Sequence, residues 1–239
     1  MNPQKKVLIL IVEGDTDLAV FSSYIKEIVD PERVKIHVTR GDVFTKEENF
    51  GKEATEIIKE VTEEVKQEYF LTDEDIFYII QLCDIDGIYI PLHDYHIQPK
   101  GYFGDKTYYF DSHRKRIIVK NKYSKNKLFE TWKNKKDQQD ILINTNEING
   151  IKYRLYFYSL NLEHFLSNEI IEDIDDKWEC VDNFVEKYPN LEDFKQFVND
   201  DSNKVSDNYE ESWHLISNET DFFSNGVSNV NIFIKDFSE

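Results

Sequence analysis

Two apolar runs that each end in acid constrain the fold more than any other feature of the chain. Residues 6–12, around "VLILIV", are β-branched and aliphatic without helical periodicity, and they stop at Glu13, Gly14, Asp15 and Asp17. "DIFYIIQLCDIDG", 75–87, has the same character and ends in Asp84, Ile85, Asp86 and Gly87. Such runs read as strands buried on both faces, the kind found in parallel sheets covered by helices. Carboxylates crowded at a strand end repel one another and need a proton, a cation or open water.

Between these runs the pattern alternates. "DLAVFSSYIKEIV" reads as a helix that Asp15 or Thr16 can cap and that ends before Pro31. "RVKIHVTR" reads as a strand. "FGKEATEIIKEVTEEVKQEYF" spaces Ala54, Ile57, Ile58, Val61 and Val65 as one face of an amphipathic helix. Strand, helix, strand, helix, strand is the α/β signature, with a mostly parallel sheet. The stretch 89–150 is less regular and is expected to hold one helix around "KNKLFETWKNKK". "YRLYFYSL", 153–160, reads as a further strand, followed by a helix start at "NLEHFLSNE" capped by Asn161. Beyond residue 171 the pattern turns helical and acidic, "NDDSNKVSDN" reads as a linker, and "VNIFIKDF" as a last strand. The expected organisation is an α/β domain over 1–170, with a basic insertion at 112–136, and an acidic helical extension over 171–239.

With 40% hydrophobic and 14% aromatic residues the chain can fill a sizeable core. It has no apolar run of the roughly 18 residues that cross a bilayer, and its opening basic pair leads to no cleavage site. It reads as a soluble cytoplasmic protein. Cys83 and Cys180 lack the spacing of a disulfide framework or a zinc site. The net charge of −18 argues against a protein that simply coats nucleic acid. That average hides a segregation, because residues 112–136 carry ten Lys or Arg against Glu130 alone, making this segment +9 and the remainder −27.

Each strand-end acid has a plain reading as a helix cap or a favourable charge at a helix N-terminus. Their combination says more. Ligands of open parallel sheets collect at the carboxyl ends of strands, where adjacent strands would bring Glu13, Asp84 and Asp86 together. Three hard oxygen donors there suit Mg²⁺ or Mn²⁺, and the strand period of two puts Asp84 and Asp86 on one side with Ile85 turned away.

Glu13-Gly14 after a first strand and Asp84-x-Asp86 after a third resemble the toprim domain. That domain is shared by topoisomerases, bacterial primases, small RNA-maturing nucleases and the overcoming-lysogenization-defect nucleases. The resemblance covers roughly residues 5–90 and extends more loosely to about 170. It implies a compact Rossmann-like fold with Mg²⁺ or Mn²⁺ held at Glu13, Asp84 and Asp86. Asp17 stands where nuclease-type members carry a second acid, usually glutamate, for a second metal; aspartate is shorter by a methylene. "YRLYFYSL" followed by "NLEHFL" looks like the late strand and Glu-bearing helix of small toprim proteins of phage-defence systems, some of them partnered by an ATPase. On that likeness Ser159 and Glu163 join the site. The chain departs from topoisomerases and primases in having no room for gate domains and no zinc-binding or polymerase module.

Other candidates are weaker. His93-x-x-His96 lies in an aromatic stretch where histidines are more often exposed or packed. His164 neighbours Glu163 but an adjacent helix position faces elsewhere. Cys83 beside carboxylates is a poor thiolate, and no Walker-type phosphate loop is present. In the basic insertion Arg114, Lys115, Arg116, Lys120, Lys122, Lys125 and Lys127 alternate with Tyr123, Phe129 and Trp132, a mixture suited to phosphate contacts and base stacking.

The expected function is a divalent-metal-dependent nuclease of toprim type, an anti-phage defence effector working on DNA or on tRNA or other RNA, with an ATPase partner. Whether it forms a homodimer stays open. The alternative is a non-catalytic toprim-like subunit that regulates or docks on an ATPase. A phosphoacceptor receiver-like domain is weaker still, for want of a late lysine.

Overall fold

A computed structural model describes residues 6–99, 103, 106–218 and 225–238; Lys5 of the opening basic pair lies outside them. The chain is α/β, with a mostly parallel sheet flanked by helices. Strand β1 (Val7–Val12) leads into helix α1 (Asp15–Ile28), β2 (Val34–Val38), α2 (Ala54–Tyr69) and β3 (Ile76–Asp84). After a small second sheet come α3 (Lys122–Ile143), β7 (Glu147–Ile148), β8 (Ile151–Tyr158) and α4 (Leu162–Ser167). The large sheet has the order β2-β1-β3-β8-β7, in which the four long strands are parallel and only β7 is antiparallel.

This order follows from the patterning. All six residues of β1 are buried, so both of its faces must be covered. The crossover through α1 leads to one side of β1, whereas the crossovers through α2 and α3 lead the other way. Right-handed connections therefore place α1 on one face and α2 with α3 on the opposite face. The packing agrees: α2 lies against α3, while α1 lies against α5 (Ile174–Lys187), α6 (Leu191–Asn199) and α8 (Val230–Ser238). Tyr24 of α1 stacks on Phe194 of α6 at 4.2 Å between ring centres, and Phe21 meets Phe233 of α8 at 6.2 Å. The acidic C-terminal helices thus complete the hydrophobic cluster over one sheet face. Helix α7 (Tyr209–Asn218) joins them through Tyr209, which packs on Tyr156 of β8 beside Phe233, while its Trp213 packs on Phe157.

Three expectations are corrected. "VNIFIKDF" forms helix α8, not a strand: Ser228 Oγ accepts the Val230 N–H and starts the turn, and Phe233 and Phe237 fall on one helical face. "NDDSNKVSDN" is irregular but pinned, because Asn203 is buried and donates to Phe197 O while Val205 N–H reaches Ser228 O. The middle of the chain contains a three-stranded sheet, β4 (Tyr95–Ile97), β6 (Arg116–Val119) and β5 (Tyr108–Asp111), so part of the basic segment is strand.

Trp132 of α3 fastens this small sheet to the large one. It is 4% exposed and packs against Tyr95, Tyr108 and Phe110. A Cβ on Gly87 would lie 2.3 Å from its ring, so the loop after β3 requires glycine there. Trp132→Ala is expected to lower the unfolding free energy by about 3–5 kcal/mol in urea denaturation, as for other large core truncations. Among the described residues no helix is long and apolar enough to cross a membrane.

Candidate functional site

β1 and β3 are neighbours whose following connections leave toward opposite faces of the sheet. That is a topological switch point, where a crevice opens beyond the strand ends. Glu13 and Asp84 flank it, and the Asp84 N–H donates to Glu13 Oε1 at 3.2 Å. Asp17 turns inward from the first turn of α1, its Oδ2 accepting the Gly14 N–H at 2.9 Å. Gly14 is therefore the N-cap and Asp17 satisfies its backbone, the role expected of Asp15 or Thr16. Asp15 stays exposed.

Glu163, at the start of α4, is 2% exposed. It accepts from Thr16 Oγ1 at 2.9 Å and from Lys177 Nζ, on α5, at 3.0 Å. Asn161 caps α4 as expected, through the His164 N–H. Asp86 sits just past β3 with a left-handed φ of 52°, its N–H held by Leu160 O at 2.8 Å. Ile85 is buried and faces away.

Asp42, Lys135, Lys177 and Tyr158 escaped the sequence reading. Asp42 lies in the loop after β2, four residues beyond the end of that strand. Lys135 lies fully buried on α3, with Nζ 2.6 Å from Asp86 Oδ2 and 2.9 Å from Asp42 Oδ2. A signal for it existed: Leu128, Trp132, Gln139 and Leu142 form the buried stripe of α3, and Lys135 falls within that stripe.

These groups act on one another's ionisation. Burial raises Glu13 well above the usual carboxylate range; Lys135 counters this, while Asp42, Asp86 and Asp17 add to it. Burial raises Asp84 likewise, reinforced by Glu13, Asp17 and Asp86. Asp17 is pushed up to about 7 by burial and by Glu163, against the Gly14 hydrogen bond and Lys177. Burial alone would pull Lys135 down, but Asp42, Asp86 and Glu13 hold it well above its ordinary value. Ion pairs join Asp42, Lys135 and Asp86 on the α3 side, hydrogen bonds and an ion pair join Asp17, Thr16, Glu163 and Lys177 to the α1 side, and Glu13 and Asp84 stand at the strand ends between them.

Six carboxylates face two ammonium groups, an imbalance that protons or a divalent cation would correct. The donors are hard oxygens of the kind Mg²⁺ and Mn²⁺ take. The Tyr158 hydroxyl, at the end of β8, is buried with no hydrogen-bond partner among the described residues and lies within electrostatic reach of Asp17, Asp84 and Glu163. In donor chemistry the site fits such a cation. Among the described residues, however, no three His, Cys, Asp or Glu side chains are gathered around one point that could hold a metal ion.

The remaining candidates lie elsewhere. Ser159 is fully buried and serves the fold: its Oγ accepts the Val227 N–H at 2.8 Å, beside Gly226, whose approach to the His164 backbone leaves no space for a Cβ. His93 and His96 are exposed. His164 is buried and held below its ordinary pKa by that burial, with Ser159 O opposing. Cys83 is buried, and burial ahead of Glu13 raises its thiol. In the basic segment Trp132 is a core residue and offers no stacking surface. Arg114 and Arg116 both pair with Asp111, and Lys125 donates to Leu92 O and Tyr95 O. Lys115, Lys120, Lys122 and Lys127 are exposed, and Tyr123, 75% exposed, is the aromatic residue presented beside them.

No family model matches the chain, and no curated protein or solved structure matches it either.

Proposed function

We propose that the chain is a divalent-metal-dependent phosphodiesterase of toprim type, a nuclease of anti-phage defence that acts with an ATPase partner. The observation that carries this reading is the placement of Glu13 and Asp84 at adjacent strand ends, with Asp17 and Glu163 at the helix starts beside them, at the switch point of a mostly parallel sheet. Glu13 and Asp84 would hold the first ion, and Asp17 and Glu163 would support a second ion or the attacking water. A bound Mg²⁺ or Mn²⁺ supplies Lewis acidity toward a phosphate oxygen and lowers the pKa of water. Asp17, with its carboxyl near 7, is suited to take up a proton at its side-chain oxygen at neutral pH. Lys177 Nζ, partly exposed beside Glu163, offers positive charge to a phosphate oxygen. The exposed lysines and Tyr123 supply a surface for the nucleic-acid backbone and bases.

One observation favours the non-catalytic docking subunit instead: Asp86 is already taken by Lys135. Incubation with plasmid DNA and with tRNA, in Mn²⁺ and in EDTA, separates the two readings. Cleavage of either substrate in Mn²⁺ and not in EDTA is expected. Intact substrates in both Mn²⁺ and Mg²⁺ would overturn the catalytic reading in favour of the docking subunit.

A further inference from the structure

A lysine inside the buried stripe of a helix is costly, because the ammonium group loses its water. Lys135 is fully buried, three residues after Trp132 and four before Gln139 on the inward face of α3. Its position is sustained by two carboxylates at ordinary charge-assisted distances, Asp86 at 2.6 Å and Asp42 at 2.9 Å. Both acceptors are themselves fixed. Asp42 Oδ1 accepts the Phe44 N–H at 2.8 Å, and the backbone of Asp86 is bound to Leu160 O. Gln139, on the same face, donates to Asp84 O at 3.5 Å, so α3 is registered against the end of β3 on both sides of the lysine. With no solvent exposure, Lys135 cannot reach a substrate phosphate. What it touches is acid.

Two carboxylates lie on each side of the Glu13–Asp84 pair, Asp42 with Asp86 and Asp17 with Glu163. Lys135 holds both acids of the first pair, whereas Lys177 reaches Glu163 and leaves Asp17 to the Gly14 N–H. A metal ion sharing Asp86 with Lys135 would lie within a few ångströms of a like charge in a poorly hydrated environment, where repulsion is strong.

We infer that Lys135 is a resident counter-cation that removes Asp42 and Asp86 from the ligand set, so that the site takes one divalent ion, on the Glu13–Asp84–Asp17 side. This rests on the metal-site reading above and makes Lys135 a positioning residue. Asp86 then serves the lysine and not the ion, although its spacing from Asp84 suggests a shared ligand pair.

Calorimetric titration of Mn²⁺ into the full chain tests this. Wild type is expected to bind one ion, and Asp84→Asn to lose it. The charge-balanced variant Lys135→Met/Asp42→Asn/Asp86→Asn is expected to keep the single ion with affinity within about threefold, as for sites that do not share ligands. Lys135→Met alone is expected to bind two, because it frees Asp42 and Asp86. Two ions in wild type, one ion in Lys135→Met, or loss of binding in the triple variant would each overturn the inference while the metal reading survives. No binding by wild type would bring down the metal reading itself, and the inference with it.

A readout free of metal accompanies the titration. In EDTA, Lys135→Met is expected to melt roughly 10 °C below wild type, because the nearly buried Asp42 and the partly buried Asp86 lose their counter-ion. Adding Asp42→Asn and Asp86→Asn should recover at least half of that drop. A Lys135→Met variant as stable as wild type would overturn the counter-cation role. Should Lys135→Met fail to fold, the triple variant carries both measurements.

Discussion

Replacing Glu13 by Gln, or Asp84 by Asn, is expected to lower Mn²⁺-dependent cleavage of nucleic acid by about 10³-fold or more, with the fold retained. The loss follows from position. Both carboxylates stand at the strand ends between the two flanks, each raised by burial and by its acidic neighbours, while Lys135, which opposes this, is itself paired with Asp42 and Asp86. The fold is expected to survive for the same reason. Ionised Glu13 and Asp84 are unfavourable in the metal-free protein, and a neutral amide relieves that penalty. In Glu13→Gln the amide carbonyl oxygen can still accept the Asp84 N–H, so the link between the ends of β1 and β3 persists. Cleavage rates and melting temperatures measured together separate chemistry from stability. Activity retained in both variants would remove the enzymatic assignment. Activity lost together with folding would show that these acids are structural.

The parts of the fold that were legible in the sequence are those where one physical preference dominates. β1 and β3 are largely apolar and rich in β-branched residues, and the spacing of Ala54, Ile57, Ile58, Val61 and Val65 marks the buried face of α2. Asn161 caps α4 because its short side chain reaches the third following N–H, a relation local enough to read directly. The C-terminal "VNIFIKDF" misled because a short apolar run with Ile and Val fits a buried strand or a buried helix equally. The deciding groups were Ser228, which accepts the Val230 N–H, and the i, i+4 pair Phe233 and Phe237.

The small sheet was hidden for another reason. Its strands are three or four residues long and their partners lie across loops, so no alternation builds up. Within the site, Glu13, Asp17, Asp84 and Glu163 could be named because each stands at a strand end or helix start. Asp42 lies four residues past β2, within its loop, so the strand-end pattern did not mark it. The bond from Lys135 to Asp86 spans 49 residues of chain, and no local pattern specifies it. The misplaced aromatic has the same origin. Trp132 sits in a basic run that looks like a nucleic-acid surface, yet α3 buries its tryptophan against the small sheet.

Asp17→Asn is expected to stabilise the metal-free protein, by an amount that grows with pH. In the folded chain burial and Glu163 hold the Asp17 carboxyl near 7, against an ordinary value of 3.8. Below about pH 4 the group is protonated in both folded and unfolded states and contributes no difference. As pH rises toward 7 the unfolded chain releases this proton while the folded chain keeps it, so stability falls. Above about 7 both forms are ionised and the full penalty is in place, on the order of 2–4 kcal/mol. Asparagine cannot ionise, and its carbonyl oxygen can still accept the Gly14 N–H. The stability difference between variant and wild type should therefore rise from near zero at about pH 4 to this range at about pH 8. Comparing the two chains is essential, because other groups titrate in both. His164, held below its ordinary pKa by burial, destabilises both as pH falls through the mid-sixes. Asp111, where slight burial is outweighed by hydrogen bonds from Arg114 and Arg116, is held low and weakens both in stronger acid. Urea unfolding in EDTA across this pH range measures the difference directly. Parallel curves for the two chains would mean that Asp17 is ionised in the folded chain throughout, and would remove it as a proton acceptor at neutral pH. A widening gap that closes in wild type when Mn²⁺ is added would tie the same carboxylate to the cation.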